Sequence, residues 1–312
     1  MHIPDGYLSP TTCGVMGASM LPAWSSAARR VRKVVTSRYV PLLALGAAYS
    51  FLVMMFNVPI PDGTTAHAVG AVLIAVLLGP SAAVVAVSVA LAIQALFFGD
   101  GGVLSFGANC FNMAFVMPMA GYGVYRATTR NVSLTAPRRA FCAGLGGYVG
   151  LNAAALCTAI ELGIQPTLFH SANGTPLYSP FHLSQTIPAM ALAHLTVAGT
   201  VEAVLTAGVI AYLQRANLPV LRINHVDVPE SEVVAPPPRL VWRRGVVALG
   251  VVALLTPLGL LASGTAFGES SRTRVSAFGY IVSAFVGMMV IALVAAAVLA
   301  VLGILRRRPA RA

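Results

Sequence analysis

Two histidines stand beside identical turn signals in this chain: His2 directly precedes Ile3-Pro4-Asp5-Gly6, and His67 stands four residues after Ile60-Pro61-Asp62-Gly63. In each tetrapeptide the proline fixes φ and the glycine tolerates the positive φ of a turn. His2 adjoins the first methionine, and that adjacency has a chemical consequence. If Met1 keeps a free α-amine, then the amine, the backbone nitrogen of His2 and its near ring nitrogen can close a five-membered and a six-membered chelate ring around one metal ion. A fourth nitrogen from His67 completes a square plane, the geometry that suits Ni(II) or Cu(II) and that a tetrahedral Zn(II) site does not favour. A bulky residue at position 2 hinders removal of the initiator methionine. The acid and turn at Pro4-Asp5-Gly6, where a signal peptide needs a basic segment, predict a mature chain that begins at Met1. Each histidine also has an ordinary reading, His2 as a disordered terminal residue and His67 as part of a helix start capped by Thr64 or Thr65.

The other chemically capable residues are polar groups inside apolar runs: Asn57, Gln94, Asn109, Asn112, Asn152, His194 and Glu202. Each is costly in lipid and is expected to face the interior of a helix bundle. His194 and Glu202 are eight residues apart, near one helical face but two turns from each other, and read as a packing or coupling pair more readily than as a second metal site. His170 and His182 fall in a polar loop, where solvated histidines are the ordinary expectation and transient metal collection the alternative. Phe98-Gly99-Asp100-Gly101-Gly102 reads as a turn between spans. Cys13, Cys110, Cys142 and Cys157 form no Cys-x-x-Cys pair and read as small apolar filler.

These residues need a scaffold, and composition says what kind. Of 312 residues 57% are hydrophobic and 9% charged, and the mean hydropathy of +0.82 is that of an integral membrane protein. The net charge of +11 comes from short basic clusters between apolar runs, which is no nucleic-acid surface. Lys33 is the only lysine and is followed by Val34, so the Gly-Lys-Ser/Thr loop that cradles nucleotide phosphates is absent. Apolar runs predict helical spans at roughly 10–33, 39–57, 65–79, 80–98, 104–126, 138–162, 184–214, 241–262 and 275–305. The third is short for a full crossing and runs into Gly79-Pro80.

Nine alternating spans place eighteen of the twenty basic residues on one side, in clusters such as Arg29-Arg30, Arg138-Arg139, Arg243-Arg244 and Arg306-Arg307-Arg308. Positive charge is retained in the cytoplasm, so the N-terminus is expected outside and the C-terminus inside. His2 and His67 then both lie on the outer side. Asp5, Asp62, Asp100, Glu161 and Glu269 gather there as well, with Arg272 and Arg274. The proline-rich and polar stretch 215–240 reads as a cytoplasmic linker. It divides a seven-helix module, 1–214, from a two-helix hairpin, 241–305, which is followed by a basic tail, 306–312.

The run Met1-His2-Ile3-Pro4-Asp5-Gly6-Tyr7-Leu8-Ser9-Pro10 combines with Asn57-Val58-Pro59-Ile60-Pro61 leading to Gly63-Thr64-Thr65-Ala66-His67-Ala68-Val69-Gly70. Further on come Gln94-Ala95-Leu96-Phe97-Phe98-Gly99-Asp100-Gly101-Gly102 and Gly107-Ala108-Asn109-Cys110-Phe111-Asn112-Met113. Together these segments resemble the substrate-capture subunits of energy-coupling-factor nickel/cobalt transporters, the NikM/CbiM family. The resemblance spans about residues 1–214. It implies a metal held by the Met1 amine, the His2 amide and ring nitrogens, and His67, with Gln94 and Asn109 positioned to hydrogen-bond those ligands. Thr256 to Glu269 is similar, more weakly, to the small two-span partner subunit that some such systems fuse to the capture subunit.

The fold class expected is therefore an all-α integral membrane protein of the bacterial cytoplasmic membrane. The resemblance implies a capture subunit for Ni(II) or Co(II), with the planar nitrogen set favouring nickel. It further implies a separate transmembrane coupling subunit and cytoplasmic ATPases as partners, and no enzymatic activity of its own. The competing reading is a membrane-embedded metalloenzyme that uses the same histidines. No His-Glu-x-x-His or paired carboxylate near a histidine serves it as a general base, and four protein nitrogens leave no open in-plane position.

Overall fold

The computed structural model describes residues 1–34, 39–56, 58–59, 65–225, 238–257 and 277–307. The second turn signal at 60–63, Asn57, the middle of the expected linker and most of the stretch from Thr256 to Glu269 lie outside them. The described chain is almost entirely helical. Its helices are α1 (Pro10–Val34), α2 (Tyr39–Met54), α3 (Ala71–Leu78), α4 (Pro80–Ile93), α5 (Phe106–Asn109), α6 (Met117–Thr128), α7 (Pro137–Gly163) and α8 (Gln165–Leu168). They continue with α9 (Leu183–Ala193), α10 (Gly199–Ala216), α11 (Leu218–Arg222), α12 (Pro238–Leu255) and α13 (Ala277–Arg307). Three π-helical turns interrupt the longer runs: Gln94–Phe98 extends α4, Cys110–Val116 joins α5 to α6, and His194–Ala198 joins α9 to α10.

Among the described residues, 4 helical runs are long and apolar enough to cross a membrane: Pro80–Phe98, Pro137–Leu168, Leu183–Ala216 and Ile281–Ala300. Their apolar surface faces outward as well as inward. On α7, Phe141, Leu145, Leu156 and Ile160 are exposed while Ala143, Leu151 and Ala154 are buried. A water-soluble domain does not present such surface, and a bilayer covers it.

Small residues let the central helices approach. A Cβ at Gly146 of α7 would stand 2.6 Å from the Gly121 carbonyl oxygen of α6, and one at Gly150 would stand 2.6 Å from that of Met117. With no side chain between them the two backbones pack directly, which is how helices associate where the hydrophobic effect cannot drive them. Helix α7 also packs against α9 and α10. Helices α12 and α13 lie against α2.

The range expected to hold the third span is helical only in its second half. Thr65–Ala66 is a short strand paired antiparallel with Val58–Pro59, and residues 67–70 are irregular before α3 begins at Ala71. The cause is local: the Val69 and Gly70 amides are taken by a side chain of another helix, as described below, and Gly70 has φ 73°. The beginning of the expected linker is ordered too. Helix α11 buries Leu221, and His225 Nε2 lies 2.9 Å from the Tyr125 hydroxyl.

Candidate metal centre

The N-terminal nine residues form no helix, yet they are largely inside the protein: Met1 is 5% exposed, His2 7% and Ile3 0%. An irregular segment can be buried only if its backbone polar groups find partners, and the partners are specific. The Ile3 N–H donates to Asn109 Oδ1 at 2.8 Å. The Ile3 carbonyl accepts from Asn109 Nδ2 at 3.0 Å, Ser105 Oγ at 2.6 Å and the Gly102 N–H at 2.9 Å. Further on, the Tyr7 carbonyl accepts from the Ser179 N–H, and the Ser9 N–H donates to Gln165 Oε1 at 3.0 Å.

The first turn signal has a definite role. The Asp5 carboxylate accepts from the backbone N–H groups of Val103, Leu104 and Ser105 at 3.0, 2.9 and 3.3 Å. It is thereby locked onto the loop that follows the Gln94–Phe98 turn. That fit requires Gly102, because a Cβ there would fall 2.1 Å from Asp5 Oδ1. Ser9 then caps α1, its Oγ accepting from the Thr12 N–H at 3.0 Å, with Pro10 at the first helical position.

His67 arrives from the opposite direction. Its loop is held by two helices: Glu202 Oε2 on α10 accepts from the Val69 and Gly70 N–H groups at 2.8 and 3.0 Å, and Ser50 Oγ on α2 donates to the Val69 carbonyl at 2.8 Å. His67 is 1% exposed and its Nδ1 lies 3.1 Å from the Ala68 carbonyl oxygen. A carbonyl only accepts, so Nδ1 carries the proton and Nε2 presents a lone pair.

The two segments meet at these residues. The Met1 nitrogen is 3.3 Å from His67 Nε2, and the His2 and His67 rings stack with centroids 4.8 Å apart. In the chelate derived from the sequence, Met1 N and His67 Nε2 occupy adjacent corners of the square. With metal–nitrogen bonds of about 2 Å, adjacent donors stand about 2.8 Å apart. The observed 3.3 Å between this one pair is longer than that spacing by about half an ångström. Among the described residues no group of three or more His, Cys, Asp or Glu side chains could hold a metal ion, so an ion bound here would need backbone nitrogen as well as imidazole.

The remaining candidates divide. Asn109 touches Ile3, the residue after His2. Gln94 lies at the start of the π-helical turn, 1% exposed; its carbonyl oxygen accepts from the Asp100 N–H at 3.1 Å, and its side-chain amide has no hydrogen-bond partner among the described residues. His182 caps α9 in a capping box with Gln185. His170 is exposed, with Nδ1 3.1 Å from the Ser171 carbonyl oxygen. Sequence reasoning missed Asp100, whose Oδ1 is 3.4 Å from His2 Nδ1, and the grip of Glu202 on the His67 loop. A signal for Asp100 was present, since it is a lone carboxylate between Gly99 and Gly101-Gly102 at the end of an apolar run.

Apolar helices that face outward around a buried N-terminal segment define a polytopic membrane protein, inside which the Met1 nitrogen and two histidine rings meet. Residues 2–219 match the family model CbiM, the cobalt uptake substrate-specific transmembrane region, and the chain belongs to that family. It is 53% identical over 270 residues, 86% of its length and 75% of the relative's, to the fused nickel transport protein NikMN of Rhodobacter capsulatus. It is 47% identical over 273 residues, 87% of its length and 78% of the relative's, to the probable fused nickel transport protein LarMN of Lactiplantibacillus plantarum. The crystal structure of a transition metal transporter matches with a TM-score of 0.66 at 55% identity, covering 73% of this chain and 100% of that one. The family resemblance read from the Met-His start and the internal signatures is borne out.

Proposed function

We propose that this chain is the substrate-specific component of an energy-coupling-factor importer, and that it captures Ni(II), or Co(II), from outside the bacterial cytoplasmic membrane. The Met1 amine, the His2 amide nitrogen, His2 Nδ1 and His67 Nε2 form the plane that holds the ion. The observation that carries this reading is the 3.3 Å approach of the Met1 nitrogen to His67 Nε2 beside the stacked His2 ring. The names of the similar proteins support nickel or cobalt as cargo, and a planar nitrogen set favours nickel.

In this reading the N-terminus faces outward, residues 1–214 form the capture module, and the chain works with a transmembrane coupling subunit and cytoplasmic ATPases that supply the energy. The hairpin 241–305 is a fused small-subunit-like domain. The metalloenzyme alternative gains nothing from the geometry. The Asp100 carboxylate, beside the pair of histidines, is engaged with His2 itself.

The decisive experiment is an absorption titration of untagged protein with Ni(II), beside the same protein extended at its N-terminus. A planar d–d band at one ion per chain in the first and none in the second is the expected result. Equal binding by the extended form overturns the chelate.

A further inference from the structure

His194 is the buried histidine that the four-nitrogen set leaves over. It is 1% exposed and begins the π-helical turn His194–Ala198, an irregularity that recurs at functional sites. Its Nδ1 lies 2.8 Å from the Met190 carbonyl oxygen, so Nδ1 carries the proton and Nε2 presents a bare lone pair. No hydrogen-bond donor meets Nε2 among the described residues. An orphaned buried acceptor costs folding free energy and asks for an explanation. His67 shows the same arrangement, with Nδ1 fixed by a backbone carbonyl and Nε2 left to act.

The location connects the two histidines. The π-helical turn packs against Thr65–Ala66, the strand that delivers His67. Nothing in the four-nitrogen plane uses this nitrogen. It is a buried donor nitrogen on a turn that packs against the strand leading to His67.

We propose that His194 is the entering ligand in metal exchange: its Nε2 binds the ion transiently, out of the plane of Met1, His2 and His67, as that plane assembles on loading and opens on release. This rests on the four-nitrogen reading above. A planar Ni(II) ion exchanges ligands by addition first, because its axial positions are open and prior loss of an in-plane donor would leave it three-coordinate. In the step, the Nε2 lone pair forms a bond to nickel, and one in-plane nitrogen leaves with its own electron pair. The metal stays at oxidation state +2. On release the His2 amide nitrogen takes its proton back from water. A donor held in place acts at high effective concentration and accelerates both directions without changing the end states.

The test is stopped-flow kinetics on the full, untagged chain, with Ni(II) alone for loading and excess EDTA for release, comparing wild type with His194→Ala and His194→Gln. Both variants should bind one ion with the wild-type spectrum and affinity. Both should load and release more slowly by a common factor, on the order of tenfold or more. Free imidazole should restore the rate in His194→Ala, which leaves room for it, and not in His194→Gln. The glutamine variant keeps a donor for Met190 and carries the test if the alanine variant does not fold. Wild-type rates in the variants overturn the proposal. A changed equilibrium spectrum also overturns it, since His194 would then be a resident ligand. A wild-type protein with no planar band overturns the four-nitrogen reading itself, and this proposal with it.

Discussion

Asn109 grips Ile3 at both of its backbone groups, Oδ1 accepting from the Ile3 N–H at 2.8 Å and Nδ2 donating to the Ile3 carbonyl at 3.0 Å. The peptide unit between His2 and Ile3 is thereby fixed by a side chain more than a hundred residues away in sequence. The His2 backbone nitrogen lies one peptide unit earlier, between Met1 and His2, and a chelate that includes it depends on this anchor to place the segment. Asn109→Leu, which removes both contacts, should weaken Ni(II) binding by roughly ten- to a hundredfold, the usual effect of losing a group that orients ligands. The spectrum of the ion that does bind should stay planar. Equilibrium competition against a chelator of known affinity measures this, and an unchanged affinity would mean that Asp5 and Ser105 suffice to place the segment.

The ligands themselves should differ in weight. His2→Ala removes a chelate arm, whereas His67→Ala removes one of four nitrogens and leaves the fused rings of Met1 and His2 able to form. His2→Ala should therefore cost more, by roughly tenfold in affinity or about 1.4 kcal/mol. Equal losses in the same competition assay would show that His67 also holds the loop together.

The proposed chelate could be formulated from the sequence because it is local: amine, amide and imidazole belong to two adjacent residues, and bond lengths dictate the rings. His67 could be paired with it because both histidines stand beside the same turn signal. The helices were legible for a similar reason, since each apolar run between turn signals leaves a span-length mark, as at Pro80–Phe98. The contacts that hold the site were not legible. Nothing near Asn109 in sequence indicates that its amide meets Ile3, and Glu202 reads as another polar residue on an apolar helix until the fold brings it to Val69 and Gly70. The π-helical turns were also invisible, because a single inserted residue leaves the hydropathy of a run unchanged.

Glu202 gives a test of how much His67 depends on its loop. Its carboxylate is fully buried, and one oxygen receives both N–H groups while Thr206 approaches the other at 3.5 Å. Glu202→Ala leaves two buried N–H groups unpaired, at a cost of about 1–3 kcal/mol each. Thermal unfolding in detergent should show the protein less stable, and Ni(II) affinity should fall with it. Glu202→Gln keeps an amide oxygen that can accept and should fall between the alanine variant and wild type in both measurements. Wild-type binding by a clearly destabilised Glu202→Ala would show that Ser50 and the Met1 contact suffice to position His67.

Metal ions and protons compete for the same lone pairs, so binding at this site should release protons and weaken as the pH falls. The His2 amide nitrogen adds a feature that side chains cannot supply. It carries its proton at every ordinary pH when no metal is bound and, in the proposed plane, would lose it when metal binds, so at least one proton would leave per ion. The apparent affinity should then rise at least tenfold per pH unit, and the rise should continue after the amine and both imidazoles are neutral. A site built from those side chains and the amine without the amide would flatten there. Competition titrations from about pH 7 to about pH 9 against a chelator of known proton dependence separate the two. A sustained slope of one or more supports a bound amide. A plateau would exclude the His2 backbone nitrogen from the plane and reduce the site to the Met1 amine and two imidazoles.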